Sequence, residues 1–257
     1  SEISFFNEFD VATARNRSES CFQQFVHFYK KEVNLKFPGI VLLLGGDMVS
    51  GEIHEDLTDS NEVHTMESVI QCAEAICDGI DLLLKQFGKI TVFCVVGNHG
   101  RSSKKTRYKK KTSSNFDWMI YAICNLHFSK SNNVEFCIPN TSECLFTVFN
   151  TSFLLTHGDT ISSYTTDSIT GAISAIAKGD EKLRKRQEAM GDPYDILVCG
   201  HWHQYSLLPR RIINGSLKGY DEFGFYNSFL PEKPIQASWL LDKEVGITIS
   251  YPIYCDR

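Results

Sequence analysis

The sequence has no apolar run that approaches the roughly 20 residues a membrane-spanning helix needs. It shows no basic, apolar and small-residue pattern of a secretory signal, no internal repeat and no low-complexity segment. These absences argue against an integral membrane protein and a disordered or fibrous chain. With 42% hydrophobic and 22% charged residues, the 257 residues have the composition of a globular protein, so we predict a single domain over 1–257 without a membrane partner.

The nine cysteines form no Cys-x-x-Cys pair and have no zinc-ribbon spacing. Several lie in apolar stretches, such as Cys94 in VFCVV and Cys199 in ILVCG, where a reduced cysteine behaves as a small hydrophobic residue. The odd number and the apolar settings predict reduced thiols and a cytoplasmic location.

The charge is low on average but unevenly distributed. The chain has 26 basic and 31 acidic residues, a net of −5, which disfavours a general nucleic-acid binder. One window, RSSKKTRYKKK over 101–111, holds seven basic residues and no acid, so the rest of the chain has a net charge of −12. Whether this window could bind a polyanionic substrate therefore depends on its position relative to any active site.

Short apolar runs alternate with longer amphipathic segments, which predicts an α/β fold. The predicted helices cover 12–31, 65–87, 116–128 and part of 169–190. The predicted strands cover 39–44, 90–96, 134–138, 145–149, 152–156, 195–199, 206–213, 236–241 and 247–251.

Four of these strands run into polar clusters, which read GGD, GNH, THGD and GHWH. Ligands bind at the carboxyl ends of strands in open α/β sheets, so we expect these clusters to form one pocket. Imidazoles with carboxylate and amide oxygens suit divalent manganese, iron or zinc. Taken singly, an Asp at the end of a strand often forms a turn, and a His often has a structural role. The two side chains of a His-x-His pair point to opposite faces of a strand, so they can reach one metal ion only if the pair lies on a turn. The predicted ligands are Asp47, Asn98, His157, His201 and His203.

The motifs GGDMVSG (45–51), GNHGR (97–101), THGD (156–159) and GHWHQ (200–204), in this order, resemble those of the calcineurin-like metallophosphoesterases. NFDW (115–118) and NGSLKGYDEF (214–223) further resemble the bacteriophage-encoded branch of this family. If the protein is phage-encoded, its expected location is the cytoplasm of the host cell. The resemblance implies a four-layer α/β/β/α sandwich with two mixed sheets.

The resemblance also implies a site for two divalent metal ions, with Mn2+ favoured and Fe, Zn, Ni or Mg as alternatives. Asp47 would bridge the ions, Asn98, His157 and His201 would complete one site, and His203 would belong to the other. His99 would be the catalytic residue, either donating a proton to the leaving group or steadying the transferring phosphoryl group.

Two departures from the family pattern alter these expectations. The family begins with a strand that ends in Asp-x-His, and no such sequence precedes Asp47. We therefore expect that the chain as given starts just after this strand, and that it binds one metal ion well and the other weakly. Gly100 stands where many family members have an acid that orients the catalytic histidine, so His99 needs another partner.

The basic window begins directly after His99 and predicts a cationic rim for a phosphate backbone. We expect Arg101, Lys104, Lys105 and Arg107 to bind substrate and Tyr108 to stack on a base. The predicted activity is that of a phosphodiesterase or nuclease, with DNA as the favoured substrate. The alternative functions are a phosphomonoesterase acting on phosphoprotein or nucleotide and a non-catalytic assembly protein. The alternative for the basic window is an exposed loop that only increases solubility. A homodimer or a partner subunit is left open.

Overall fold

The computed structural model describes residues 7–53, 55–161, 171–226 and 229–256. Within these ranges no helix is both long and apolar enough to cross a membrane. The helices are α1 (Val11–His27), α2 (Glu55–Ser60), α3 (Thr65–Phe87), α4 (Phe116–His127), α5 (Gly171–Met190) and α6 (Glu222–Tyr226). The strands are β1 (Ile40–Leu44), β2 (Ile90–Cys94), β3 (Val134–Cys137), β4 (Glu143–Val148), β5 (Thr151–Thr156), β6 (Ile196–Cys199), β7 (Ser206–Leu208), β8 (Arg211–Ile213), β9 (Ile235–Gln236), β10 (Trp239–Asp242), β11 (Gly246–Ser250) and β12 (Ile253–Tyr254).

These strands form two larger sheets and two small ones. One sheet has the order β1-β2-β3 and is parallel throughout. The other has the order β4-β5-β6-β8-β7, with parallel pairs at β5-β6 and β6-β8 and antiparallel pairs at its edges. The antiparallel pairs β10-β11 and β12-β9 stand apart as two-stranded sheets. The α/β class predicted from the sequence is confirmed.

Three hydrophobic clusters hold these elements together. The first joins α3 and α4 to the three-stranded sheet, through residues such as Ile80, Val92 and Ile120. The second contains side chains of both large sheets, with stacked rings of Phe93 and Phe146 whose centroids are 4.0 Å apart. The third joins α5 to the five-stranded sheet. The two large sheets thus share one cluster, while helices pack on each of them.

The helix predictions differ from the structure mainly at the ends. The helix predicted over 65–87 is confirmed as α3, which ends before Gly88, a residue with φ of 83°. The helix predicted over 12–31 begins one residue earlier, and after His27 it continues as a π-helix, Phe28–Val33. The start of the range 169–190 and the interval 162–170 lie outside the described residues.

Two of the predicted strands are wrong as single elements. The range 206–213 is a hairpin, β7 and β8, because Pro209 and Arg210 form a turn with φ of 61° at Arg210. The range 236–241 is divided between β9 and β10, and Ala237 and Ser238 between them belong to neither strand. Both breaks separate short apolar runs that the sequence pattern had joined.

Candidate metal and phosphoester site

The four polar clusters meet where strands of the two large sheets end. Asp47 and Asn98 follow the parallel strands β1 and β2, and His157 and His201 follow the parallel strands β5 and β6. One ligand atom from each of Asp47, His157 and His201 lies within 4.8 Å of the others. The predicted convergence of these three residues is therefore seen in the structure.

His157 lies at the centre of this group and is 2% exposed. Its Nε2 is 2.9 Å from Asp47 Oδ2 and 3.2 Å from Asn98 Oδ1, and its Nδ1 is 2.8 Å from the carbonyl oxygen of Gly45. Burial lowers the pKa of His157, but the hydrogen bond and charge of Asp47 outweigh it and raise the pKa to about 8. Burial conversely raises the pKa of Asp47, and His157 and His99 lower it to about 2. Asp47 and His157 thus stabilise each other's charged forms.

The His-x-His pair lies on a bend of the chain, and within the described residues His201 belongs to the group with Asp47 and His157 while His203 does not. His201 and His203 both have left-handed backbone conformations, with φ of 69° and 55°, which is uncommon for residues other than glycine. Burial, together with the charge of His157, lowers the pKa of His201 to about 4. Burial also lowers the pKa of His203. Both imidazoles are therefore held in the neutral form that a metal ion requires.

Two glycines permit the close approach of the ligand loops. A Cβ on Gly97 would lie 2.1 Å from Asp47 Oδ1, and a Cβ on Gly46 would lie 2.3 Å from the backbone nitrogen of Gly97. Gly46 also has a φ of 89°. The lack of a side chain at Gly46 and Gly97 thus lets the two ligand loops approach each other closely.

The chemistry of these donors fits a divalent cation. A carboxylate oxygen, an amide oxygen and neutral imidazoles are ligands of manganese, iron and zinc, and none of them is a thiolate. Asp47 and Asn98 are each within hydrogen-bond distance of His157 Nε2, and His201 completes the group with His157, the two ring centroids being 5.1 Å apart. Binding of the ion would displace the proton that His157 Nε2 shares with Asp47, so that His157 would bind as a neutral imidazole. These four residues could therefore hold one divalent ion.

His99 is fixed beside this group by its backbone and its ring. Its N–H donates to Asp47 Oδ1 over 2.8 Å, and its Nδ1 is 3.0 Å from the carbonyl oxygen of Ser50. The partner that the sequence could not name for the His99 ring is therefore a backbone carbonyl. With Nδ1–H donating to that carbonyl, Nε2 is the ring nitrogen that carries the exchangeable proton.

Asp117, at the start of α4, is a site residue that the sequence analysis missed. Its carboxylate is fully buried and accepts hydrogen bonds from the backbone N–H groups of Asp47, Met48 and Gly97, at 2.8 to 3.0 Å. Burial, followed by the charge of Asp47, raises its pKa to about 6. The only available signal was its place in NFDW, a motif that carries a resemblance but no chemistry of its own.

The basic window forms a loop that leaves and returns at the site. At its base Arg101 bridges to Asn115, and the N–H of Phe116 donates to the carbonyl of Gly100 over 2.6 Å. Arg101 turns back onto its own loop, donating to Thr106 Oγ1 over 2.9 Å. The remaining predicted substrate-binding side chains are exposed, Tyr108 at 97%. These are Lys104, Lys105, Arg107 and Tyr108.

Lys111, at the end of the same window, has a different environment from the other lysines. It is largely buried, and its Nζ lies 2.8 Å from Asp159 Oδ2. Asp159 is two residues beyond His157 in THGD. This ion pair ties the base of the basic loop to the rim of the site.

A cleft of about 3110 Å³ opens onto the site. Its polar wall includes His99, His157 and His203, and its apolar wall includes Leu43 and Trp239. The cleft also runs past residues such as Phe25 and Leu240, so the site occupies only part of it.

A scan against protein-family models finds no match for this chain, and neither does a search of curated proteins. Three solved structures are similar in parts. One is a single mutant of Vps29 from Entamoeba histolytica, which is 14% identical and has a TM-score of 0.32; the match covers 83% of this chain and 98% of that one. Another is a double mutant of the same protein, also 14% identical, with a TM-score of 0.29; the match covers 65% of this chain and 83% of that one. The third is a predicted phosphoesterase from Streptococcus pneumoniae, 9% identical, covering 83% of this chain and 96% of its own with a TM-score of 0.33. At these TM-scores the likeness identifies neither a fold nor an activity.

Proposed function

We propose that this chain is a metal-dependent phosphoester hydrolase of the calcineurin-like metallophosphoesterase type, which cleaves phosphodiesters of nucleic acid. The observation that carries the proposal is the convergence of Asp47, His157 and His201 within 4.8 Å, with Asn98 bonded to His157. The motifs that supply these residues occur in the order of that family.

The arrangement of the core supports the same family. Helices α3 and α4 pack on the three-stranded sheet, the two large sheets share a cluster, and α5 packs on the five-stranded sheet. We take these three clusters to be the three interfaces of a four-layer α/β/β/α sandwich. Such a sandwich brings the carboxyl ends of strands from both sheets to one edge, where the four polar clusters lie.

The chain's own residues have separate tasks in the proposed reaction. Asp47, Asn98, His157 and His201 would hold the ion, which when bound supplies Lewis-acid stabilisation of phosphate oxygens and activates a water molecule. His99 lies beside Asp47 with its ring fixed by the carbonyl oxygen of Ser50, which leaves Nε2 as the ring nitrogen that would donate a proton to the leaving oxygen.

The second ion that the family implies needs more ligands than Asp47 and His203. We therefore propose that this chain binds one divalent ion tightly, at the group formed by Asp47, His157 and His201 with Asn98.

The proposed function is tested with protein stripped of metal by a chelator and resupplied with Mn2+. We expect Mn2+-dependent hydrolysis of bis-p-nitrophenyl phosphate and of single-stranded DNA, at a higher kcat/KM than that of p-nitrophenyl phosphate. Faster cleavage of the monoester would support the phosphomonoesterase alternative. Mn2+ binding without hydrolysis of any of the three would support a non-catalytic role.

The exposed lysines of the basic loop are expected to contact the nucleic-acid backbone. Replacing Lys104, Lys105, Lys109 and Lys110 by glutamine should weaken single-stranded DNA binding and make its salt dependence less steep, by up to about 0.7 in the logarithmic slope for each phosphate that is no longer neutralised. Fluorescence anisotropy across a salt series measures both effects.

The matched control removes the same charge at the opposite end of the strands. Lys31, Lys36, Lys85 and Lys89 are exposed, and Lys89 directly precedes β2 at its amino end. Their replacement by glutamine should leave the salt slope close to that of the wild type. Equal slopes for both variants would show that the loop serves solubility rather than recognition.

A further inference from the structure

One buried carboxylate connects the two loops that carry Asp47 and Asn98. Asp117 Oδ2 accepts the N–H of Asp47 over 2.9 Å and the N–H of Gly97 over 2.8 Å, while Oδ1 accepts the N–H of Met48 over 3.0 Å. A single side chain on α4 therefore satisfies donors from two loops that are distant in sequence.

Asn115 reinforces this connection from the preceding turn. Its Oδ1 accepts the N–H of Asp117, which caps the start of α4, and its Nδ2 donates to the carbonyl of Gly97 over 2.9 Å. Both residues are buried. The first turn of α4 is thus bonded to both the N–H and the carbonyl of Gly97, next to Asn98.

The absence of a side chain at position 100 makes room for this arrangement. A Cβ on Gly100 would lie 2.2 Å from Asn115 Oδ1 and 2.8 Å from Asp117 Oδ1. The chain therefore has a carboxylate from α4 in the space where a residue directly after His99 would place its own side chain. This explains why Gly100 follows GNH in this sequence.

We propose that Asp117 is a positioning residue, whose carboxylate sets the relative placement of Asp47 and Asn98 and so the affinity of the site for a divalent ion. The inference rests on the proposed function for the identity of the ligands. Asp117 touches neither ion nor substrate. It acts through the backbone of the residues that would.

Asp117→Asn tests this role, because an amide keeps the size of the side chain but turns one acceptor into a donor. Its NH2 group would face either the N–H of Met48 or the N–H groups of Asp47 and Gly97, so at least one hydrogen bond would be lost. We expect the Mn2+ affinity, measured by isothermal titration calorimetry, to fall about 10- to 100-fold. Wild-type affinity in a folded Asp117→Asn variant would overturn the proposal.

A second variant tests the same space without removing any polar group. Gly100→Ala should also lower the Mn2+ affinity, because its Cβ displaces Asn115 and Asp117. The matched control is Gly191→Ala, directly after α5, where a Cβ meets nothing within 4 Å and the φ of 84° adds backbone strain, so its Mn2+ affinity should stay close to that of the wild type. Equal affinities for the two alanine variants would contradict the proposal.

Asp180→Asn is the control that separates a loss of Mn2+ affinity from general destabilisation of the fold. This variant removes another fully buried carboxylate, which is far from these loops in sequence. We expect this variant to lose thermal stability while keeping wild-type Mn2+ affinity. If Asp180→Asn loses affinity as much as Asp117→Asn does, Asp117 has only a structural role. If the wild type binds no Mn2+, the proposed function fails instead, and the two failures are therefore distinct.

Discussion

Substitution of Asp47 by asparagine is expected to lower kcat/KM for Mn2+-dependent phosphodiester hydrolysis by more than about 100-fold. Mutation of residues that only support metal ligands already lowers metal affinity or activity by about 10- to 100-fold, and Asp47 would itself be a ligand. Asparagine keeps the size of the side chain and an acceptor for the N–H of His99. It removes the negative charge that pairs with His157 and would bind the ion. Initial rates on bis-p-nitrophenyl phosphate, with circular dichroism to verify folding, measure the effect.

The matched control for this variant is Asp78→Asn on α3. Asp78 is an exposed aspartate that pairs with Arg15 on the surface, so the substitution removes the same charge with little structural effect. We expect the wild-type rate for this variant. An Asp47→Asn rate within about threefold of the Asp78→Asn rate would show that the carboxylate of Asp47 is not part of the reaction.

Asp180→Asn is expected to lower the free energy of unfolding by about 3–5 kcal/mol, the usual cost of removing one partner from a buried ion pair. Asp180 is fully buried on α5, and its Oδ2 lies 3.0 Å from Arg184 Nε and 2.6 Å from Arg211 Nε. Its Oδ1 accepts the hydroxyl of Tyr194 over 2.6 Å. Asparagine leaves two guanidinium groups without their shared counter-charge, between α5 and β8.

Denaturation in urea measures this loss, and Asp78→Asn again provides the comparison. Its ion pair with Arg15 is largely exposed, so we expect a change below about 1 kcal/mol. A loss of less than about 1 kcal/mol for Asp180→Asn as well would mean that water or other donors compensate for the buried charge.

The long, strongly periodic elements could be predicted from the sequence. Helix α3 has apolar residues at helical spacing and a glycine directly after its last residue, so its bounds follow from local information. The hairpin of β7 and β8 could not be predicted in the same way. Its short apolar runs are separated by only two residues, and the turn depends on the left-handed backbone of Arg210.

The candidate ligands could be predicted because each lies within four residues of the end of a strand, so that the sheet determines which edge it reaches. The sequence predicted that His201 and His203 converge only if the pair lies on a turn. Both residues have positive φ values, but only His201 joins the described group with Asp47 and His157. Asp117 could not be predicted, because its role depends on donors that the fold brings to it from 20 and 70 residues away. The partner of His99 was missed for the same reason, since a backbone carbonyl leaves no signal in the sequence.

Calorimetric titration of Mn2+ into the metal-free wild type and His201→Ala tests the central claim most directly, with His27→Ala as an exposed histidine control. The account predicts one tightly bound ion per wild-type chain, wild-type affinity for His27→Ala, and an affinity lowered by more than about 100-fold for His201→Ala. Equal Mn2+ affinity in all three proteins would contradict the assignment of Asp47, Asn98, His157 and His201 as a metal site.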